Sequence, residues 1–174
     1  MTRAALFACL LALCAPALAQ PPGETGGPIV SQSERDAIAA RVRDGAACAG
    51  CDLFQAELAY HDISGRDFSG SRLRQAELSL VTADHARFRA ANLSLANMFG
   101  GRFSRADFTE ANLSHSIGVG GYFGGARFDN ARIDGMNFSG AELANATGLT
   151  QAQLNTACGD ANTTLPAGMT IPRC

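Results

Sequence analysis

The chain has 174 residues, room for one domain of ordinary size and too little for two. Hydrophobic residues make up 47% but aromatics only 7%, with 19 Gly and no Trp, so close backbone packing is expected instead of a core of large rings. Fourteen basic residues, all Arg, against 16 acids leave a net charge of −2. That balance excludes nucleic-acid binding through a basic surface, and equally a strongly acidic mimic of nucleic acid.

Residues 1–19 read as a secretory signal. Arg3 supplies the positive start, Ala4 to Ala15 form a short apolar run, and Ala17-Leu18-Ala19 is a small-x-small cleavage site before Gln20. The run is too short for a membrane span and is broken by Pro16. Leu13, directly before Cys14, is not the small residue a lipoprotein signal favours, which argues against a lipid anchor. A secreted or periplasmic location after cleavage near Ala19 is expected. Residues 20–32, QPPGETGGPIVSQ, form a Pro/Gly-rich linker with little to pack.

Residues 33–45 predict an N-terminal capping helix. Ser33 is the expected N-cap, Glu34 and Asp36 lie in the first turn, Arg41 and Arg43 in the last, and Gly45 stops it. Ala37, Ile38, Ala39 and Val42 are its apolar residues, suited to covering the end of whatever follows.

From residue 46 to 147 one period dominates. Stepping by five from Leu53 to Leu143, every position is large and apolar except Ala83 and Gly118. Two residues before most of these positions stands a small residue, usually Ala, as at Ala56, Ala76, Ala91, Ala106 and Ala141. A period of five fits neither a helix nor a plain strand. A short unit that cannot bury its own apolar face must stack on copies of itself, so an all-β solenoid is expected.

Runs such as AELAY, ANLSL, ADFTE, ANLSH and AELAN resemble the pentapeptide repeat family, whose pattern is A-(D/N)-L-x-x. The resemblance implies a right-handed quadrilateral β-helix with four pentapeptides per coil, the large and small residues inward and the other three outward. Nineteen repeats then make about five coils, a rod roughly 23 Å long at the usual strand spacing. His61 and Arg66 fall on inward small sites and need partners there. Val81 with Ala83 exchange volume within one repeat. Ser116 and Gly118 are both small, and the Gly-rich residues 117–121 are expected to form a loose coil or a bulge.

The C-terminal residues 148–174 predict a second capping helix, N-capped by Thr150 and running from Gln151 to Ala157, then an extended tail. Four cysteines follow the signal: Cys48, Cys51, Cys158 and Cys174. An even number in an oxidising compartment suggests two disulfides, with three pairings open. Cys48 and Cys51 suit a local bond, and Cys158 with Cys174 would close the tail onto the C-terminal helix.

Four repeats per coil make residues 20 apart stacked neighbours. Asp67, Arg87, Asp107 and Arg127 then alternate in sign up one face, an expected ion-pair ladder. Tyr60, Leu80, Phe99 and Val119, with Ile117 beside them, form an outward apolar stripe, the candidate protein interface and a candidate homodimer contact. No catalytic or metal constellation is evident, since His61, His85 and His115 fall on separate parts of the coil, and no cofactor is called for. Asp84, His85 and Arg105 share one region that a solvated surface explains. The expected function is a non-catalytic rigid scaffold or protein-interaction module, with no nucleic-acid partner. Two alternatives stand beside it. One is a DNA-mimic inhibitor of the gyrase-directed kind found in the family, which the 13 Arg left after loss of Arg3 and the export signal disfavour. The other is a thiol-disulfide redox protein working through Cys48 and Cys51, although such motifs normally open a helix.

Overall fold

The computed structural model describes residues 30–174. The expected signal segment and most of the linker lie outside the described residues. Within them the chain winds as a four-sided β-helix. From Leu53 to Phe128 each inward residue of the large-residue column donates its N–H to a carbonyl 19 residues onward, as Leu53 does to Arg72 (2.9 Å) and Leu93 to Asn112 (2.7 Å). The residue before it donates backward, as Arg72 does to Cys51 (2.9 Å). Parallel bridges therefore join residues 20 apart from Asp52↔Arg72 to Arg127↔Thr147. With a turn after every bridge, each face carries a single ladder residue per coil instead of a long strand.

The turns have a backbone signature. Every fifth residue from Gly50 to Gly140 has φ between 52° and 71°, and the N–H of the following residue bonds back three residues, as Ala56 does to Leu53 (3.1 Å). This is the hydrogen bond and the positive third-residue φ of a type II turn. Glycine holds some corners, but Ala90, Leu95 and others accept the left-handed conformation at roughly 1–2 kcal/mol each. A direct check follows at Gly120, where an added Cβ would meet open space. Gly120→Ala should therefore cost about 1 kcal/mol from backbone conformation alone, whereas Ala90→Gly should gain up to that amount. Denaturant titration of both variants reads the two signs.

The interior is filled face by face. Bridge residues 52, 72, 92, 112 and 132 mark a first face, 57 to 137 a second, 62 to 142 a third, and 67 to 147 a fourth. Behind the fourth face Phe68, Phe88, Phe108 and Phe128 stack as one column, with centroids 5.2 Å apart at each step. Phe103 and Phe123 stack likewise behind the third face (5.2 Å), and tilted contacts of 5.8–6.2 Å tie the two columns together. All six rings are fully buried.

Several expectations need correction. The 117–121 segment is neither loose nor bulged: Gly118 donates to Asn137 (2.8 Å) and Gly120 to Ser139 (2.9 Å) in unbroken register. Its missing side-chain volume is supplied from the next coil. A Cβ on Gly118 would lie 2.8 Å from the Met136 methyl and 3.4 Å from the Phe123 ring. Met136, fully buried on a small-residue site, is thus the partner of Gly118. The Ser116 hydroxyl is satisfied by the Leu113 carbonyl (2.7 Å). Val81 and Ala83 are both buried and share their repeat's interior.

His61 and Arg66 are only partly buried, because they belong to the first coil and turn toward its open end. The Arg66 guanidinium donates to the carbonyls of Val42 and Asp62, and His61 Nδ1 lies 2.6 Å from the Ala59 carbonyl.

That open end meets α1 (Gln32–Arg43). Its N-cap is Ser31, not Ser33: the Ser31 hydroxyl accepts from Glu34 N–H while the Glu34 carboxylate takes the Ser31 N–H, a complete capping box that Ser33 cannot make with the residue at its own N3. Ala39 and Val42 are buried against the first coil, and Arg43 donates to the Glu57 carbonyl (3.0 Å). On the first face the Phe54 ring is flanked by the guanidinium groups of Arg72 (4.7 Å), Arg35 (5.6 Å) and Arg74 (6.0 Å). Of the three, the Arg35 contact joins the helix to the rod.

At the other end α2 (Gln151–Leu154) occupies the place of the next first-face rung, with Leu154 buried and the Gln153 amide donating to the carbonyls of Phe128 and Ala131. It stops at Leu154 and does not reach Ala157, because Cys158 must rejoin the ladder against Asn137. The bridges Asn137↔Cys158 and Glu142↔Thr164 show the step lengthening from 20 as the coil ends. The tail returns as Gly159↔Arg173, and a Cys158–Cys174 disulfide closes it. Cys48 and Cys51 are bonded to each other.

Candidate interaction surface

The rule that one position of each repeat prefers Asp or Asn has a physical origin here. The N–H two residues further on points sideways at the turn, away from the neighbouring coil. An Asp, Asn or Glu side chain closes that gap: Asp52 accepts from Phe54 N–H, Asp62 from Ser64, Asp67 from Ser69, Glu77 from Ser79, Asn92 from Ser94 and Asn112 from Ser114, all at 2.9–3.1 Å. These are local Asx-type bonds, so the residue is structural before it is a surface charge.

The bonds also set acidity. Hydrogen bonding from Ser64 lowers the Asp62 pKa, and bonding from Ser69 does the same for Asp67, with Arg87 adding a smaller pull. Groups more acidic when folded stabilise fully above the ordinary carboxylate pKa of about 4 and lose that contribution as pH falls below it and through the lower folded value. The thermal midpoint should therefore fall between pH 5 and pH 3. In Asp62→Asn/Asp67→Asn the decline should be shallower, since Asn keeps the acceptor and does not titrate. An unchanged slope would remove these two carboxylates from the account.

The expected ladder forms in part. Asp67, Arg87, Asp107 and Arg127 do stack on the fourth face, and Arg87 lies 3.6 Å from Asp67. The upper rungs are not paired: Asp107 instead meets Arg89 (3.4 Å) and Arg127 meets Asp129 (3.4 Å). The reason is reach. Residues on the other side of the same face stand as near as the stacked ones, and Asp107 is already turned toward Thr109. Of the remaining pairs, Arg72–Asp52 (3.3 Å), Arg102–Asp84 (2.7 Å) and Arg132–Asp134 (3.6 Å) lie on the first and third faces, and Arg35 of α1 reaches Asp52 (3.9 Å). Asp84 also accepts from Ser104 N–H (3.2 Å), and Arg105 lies over Gly125, its Cγ 3.1 Å from where a Cβ would stand.

The second face is different. From residue 55 to 60, 75 to 80, 95 to 100, 115 to 120 and 135 to 140 it carries no Arg, and its only acids are Glu57 and Glu77. Glu77 is held by the Asn97 amide at 2.9 and 3.1 Å. Tyr60 (77% exposed), Leu80, Phe99 and Ile117 stand out from this face, and Val119 between them is half-buried. Leu95, at 43%, extends the patch to the corner shared with the first face; the outward stripe read from the sequence omits it. Tyr122, at 40%, lies just round the other corner with its ring over Gly124, and was missed likewise. Stepping by 20 from Gln75 and from Thr82 reaches both. Among the described residues nothing covers this patch.

Concave sites are modest. A groove of about 590 Å³ runs between Asp129, Asn130 and Gly148 to Gln153, but Asp129 is paired to Arg127 and Gln153 is spent on the coil end. A smaller hollow of about 160 Å³ lies under α1 beside Cys48 and Cys51. Among the described residues no group of three His, Cys, Asp or Glu is placed to hold a metal, and no helix is long and apolar enough to cross a membrane.

Comparison with known proteins agrees with this geometry. Residues 62–100 and 86–117 match the family model "Pentapeptide repeats", in eight copies. A pentapeptide repeat protein from the Arabidopsis thaliana thylakoid lumen shares the fold, at 24% identity over 63% of this chain and 80% of that one, with a TM-score of 0.57. HetL, a pentapeptide repeat protein involved in heterocyst differentiation regulation in the cyanobacterium Nostoc sp. strain PCC 7120, aligns at 22% identity over 70% and 62%, TM-score 0.32. Full-length QnrB1, a plasmid-mediated fluoroquinolone resistance protein, aligns at 19% over 71% and 78%, TM-score 0.33. No curated protein matches this chain. The five-residue period and the 20-residue stacking agree with the family match: residues 62–117 are pentapeptide repeats, within a ladder that runs from Asp52 to Thr147.

Proposed function

We propose that the protein is an exported, non-catalytic rod that acts as a scaffold or protein-interaction module, offering its second face to a protein partner. The observation that carries this reading is the contrast between faces. Three are laced with ion pairs, while the second carries no Arg and exposes Tyr60, Leu80, Leu95, Phe99 and Ile117 together. Contiguous apolar surface of this kind marks a contact site. Export is supported by the signal pattern of residues 1–19 and by two disulfides, which suit an oxidising compartment. Alternating Arg and Asp on the fourth face speak against nucleic-acid mimicry.

Cross-linking in the exported fraction tests the reading, with wild type compared to Phe99→Glu. The variant should keep its thermal midpoint and lose its cross-linked protein partners. Equal cross-linking by both proteins would overturn the role of this face. Deleting residues 2–19 should leave the chain in the cytoplasm.

A further inference from the structure

We infer that the second face seats an amphipathic α-helix of a partner protein, laid lengthwise along the rod, with a cationic side chain of that helix set between Glu57 and Glu77. This rests on the reading of that face as an interaction surface and names the chemistry of its occupant.

Charge selects a basic partner. Glu57 and Glu77 are joined by a ladder bridge, and among the described residues this is the one bridge that stacks two like charges. Such a stack destabilises the isolated rod. On the other faces Asp52, Asp67, Asp84, Asp107, Asp129 and Asp134 each lie within 3.6 Å of an Arg, whereas among the described residues neither glutamate makes an ion pair. Glu77 is held by neutral donors, the Ser79 N–H and the Asn97 amide, which orient its charge without cancelling it. Arg43 is committed to the backbone carbonyl of Glu57 (3.0 Å), and Arg173 belongs to the tail beyond the last full rung. A cation brought by a partner relieves the stack. A second copy of this face brings only more carboxylates.

Spacing selects a helix. The C-terminal end of the face is already occupied: Asp160 accepts from Gly140 N–H (2.8 Å), and Cys174 Sγ lies 3.2 Å from Asn137 Oδ1. On the four rungs that remain free, apolar side chains stand in succession: Tyr60, then Leu80, then Phe99 with Leu95 at the corner, then Ile117 with Val119. Rungs are about 4.8 Å apart and a helical turn advances about 5.4 Å. Over the three steps the two differ by about 2 Å, so a helix of about three turns keeps an apolar residue near every rung. An extended strand, with same-side residues about 6.8 Å apart, drifts by about 6 Å over the same span, more than a whole rung. The glutamates lie at one end of this row, which places the cationic residue at one end of the helix.

Selection from two displayed libraries tests this, one randomising the surface of a single α-helix and the other randomising an extended strand, both against the purified chain. The helix library should enrich sequences with apolar residues three and four apart and a Lys or Arg at one end. A recovered helix should bind Phe99→Glu at least about tenfold more weakly, and Glu57→Gln/Glu77→Gln at least about fivefold more weakly. Gln keeps the acceptor oxygen and relieves the stack, so the double variant should unfold at the same temperature as wild type or higher. Helices without a basic residue, or whose affinity both glutamate substitutions leave unchanged, overturn the proposal. So does enrichment of strands alone, or a wild type whose self-association on sedimentation is abolished by Phe99→Glu. Failure of the helix selection beside a cross-linked partner that still depends on Phe99 overturns the helix and leaves the interaction reading standing.

Discussion

Phe108→Ala should lower the unfolding free energy by about 3–5 kcal/mol, near the top of the range for a single buried truncation. Phe108 stacks between Phe88 and Phe128 at 5.2 Å on each side and touches Phe103 and Phe123 at 5.8 and 6.2 Å. Its neighbours are fixed by backbone bonds above and below, such as Phe88 N–H to Asp107 and Phe108 N–H to Arg127, both 2.8 Å. A void there cannot be closed by sliding one coil, because the coil is bonded on both sides. Phe108→Leu, which keeps most of the volume, should cost less than half as much. Denaturant unfolding of the pair gives both numbers, and equal losses would mean that the column is not what makes the site expensive.

Leu93→Asp is expected to abolish cooperative unfolding altogether, while Ser94→Asp stays within about 1 kcal/mol of wild type. The two residues are adjacent, yet Leu93 is fully buried and Ser94 is at the surface. A carboxylate at 93 would face other coils with no donor free to meet it, since the nearby backbone groups are committed to the ladder. Ser94 gives up only the bond from its hydroxyl to Asn92 (2.7 Å), while its backbone N–H bond to Asn92 remains. Circular dichroism on heating separates the two results. Equal midpoints would show that the inward phase has been misassigned.

The architecture was legible because it is dictated by alternation that repeats every five residues. Leu53, Phe68, Leu93 and Phe138 are buried as their spacing requires, and a wrong phase would have exposed all of them together. What the spacing does not carry is where long side chains go once the backbone is placed. Met136 reaches across to fill the gap at Gly118, so two departures from the pattern cancel when seen 18 residues apart and look like defects when read singly. Arg66 leaves its inward site because the first coil has no coil before it, only the carbonyl end of α1. Asp107 pairs with Arg89 instead of Arg87 for the same kind of reason: two arginines lie within reach, and sequence alone does not rank them. The apolar stripe was read from outward positions, but Leu95 and Tyr122 belong to neighbouring columns and emerge only when the corners are laid side by side.

The constant step of 20 gives the molecule an indexing property. Duplicating any block of 20 residues inside the ladder should add one storey of about 4.8 Å and leave every wall aligned with itself. Duplicating a single pentapeptide would preserve each local bend and each inward side chain, yet rotate everything beyond it by a quarter revolution. Inserted between Leu80 and Phe99, it would leave Tyr60 and Leu80 on one wall and put Phe99 with Val119 on the next. Length variation in such a rod is therefore neutral to its surfaces only in whole storeys, and a partner that grips one wall enforces that arithmetic on the gene.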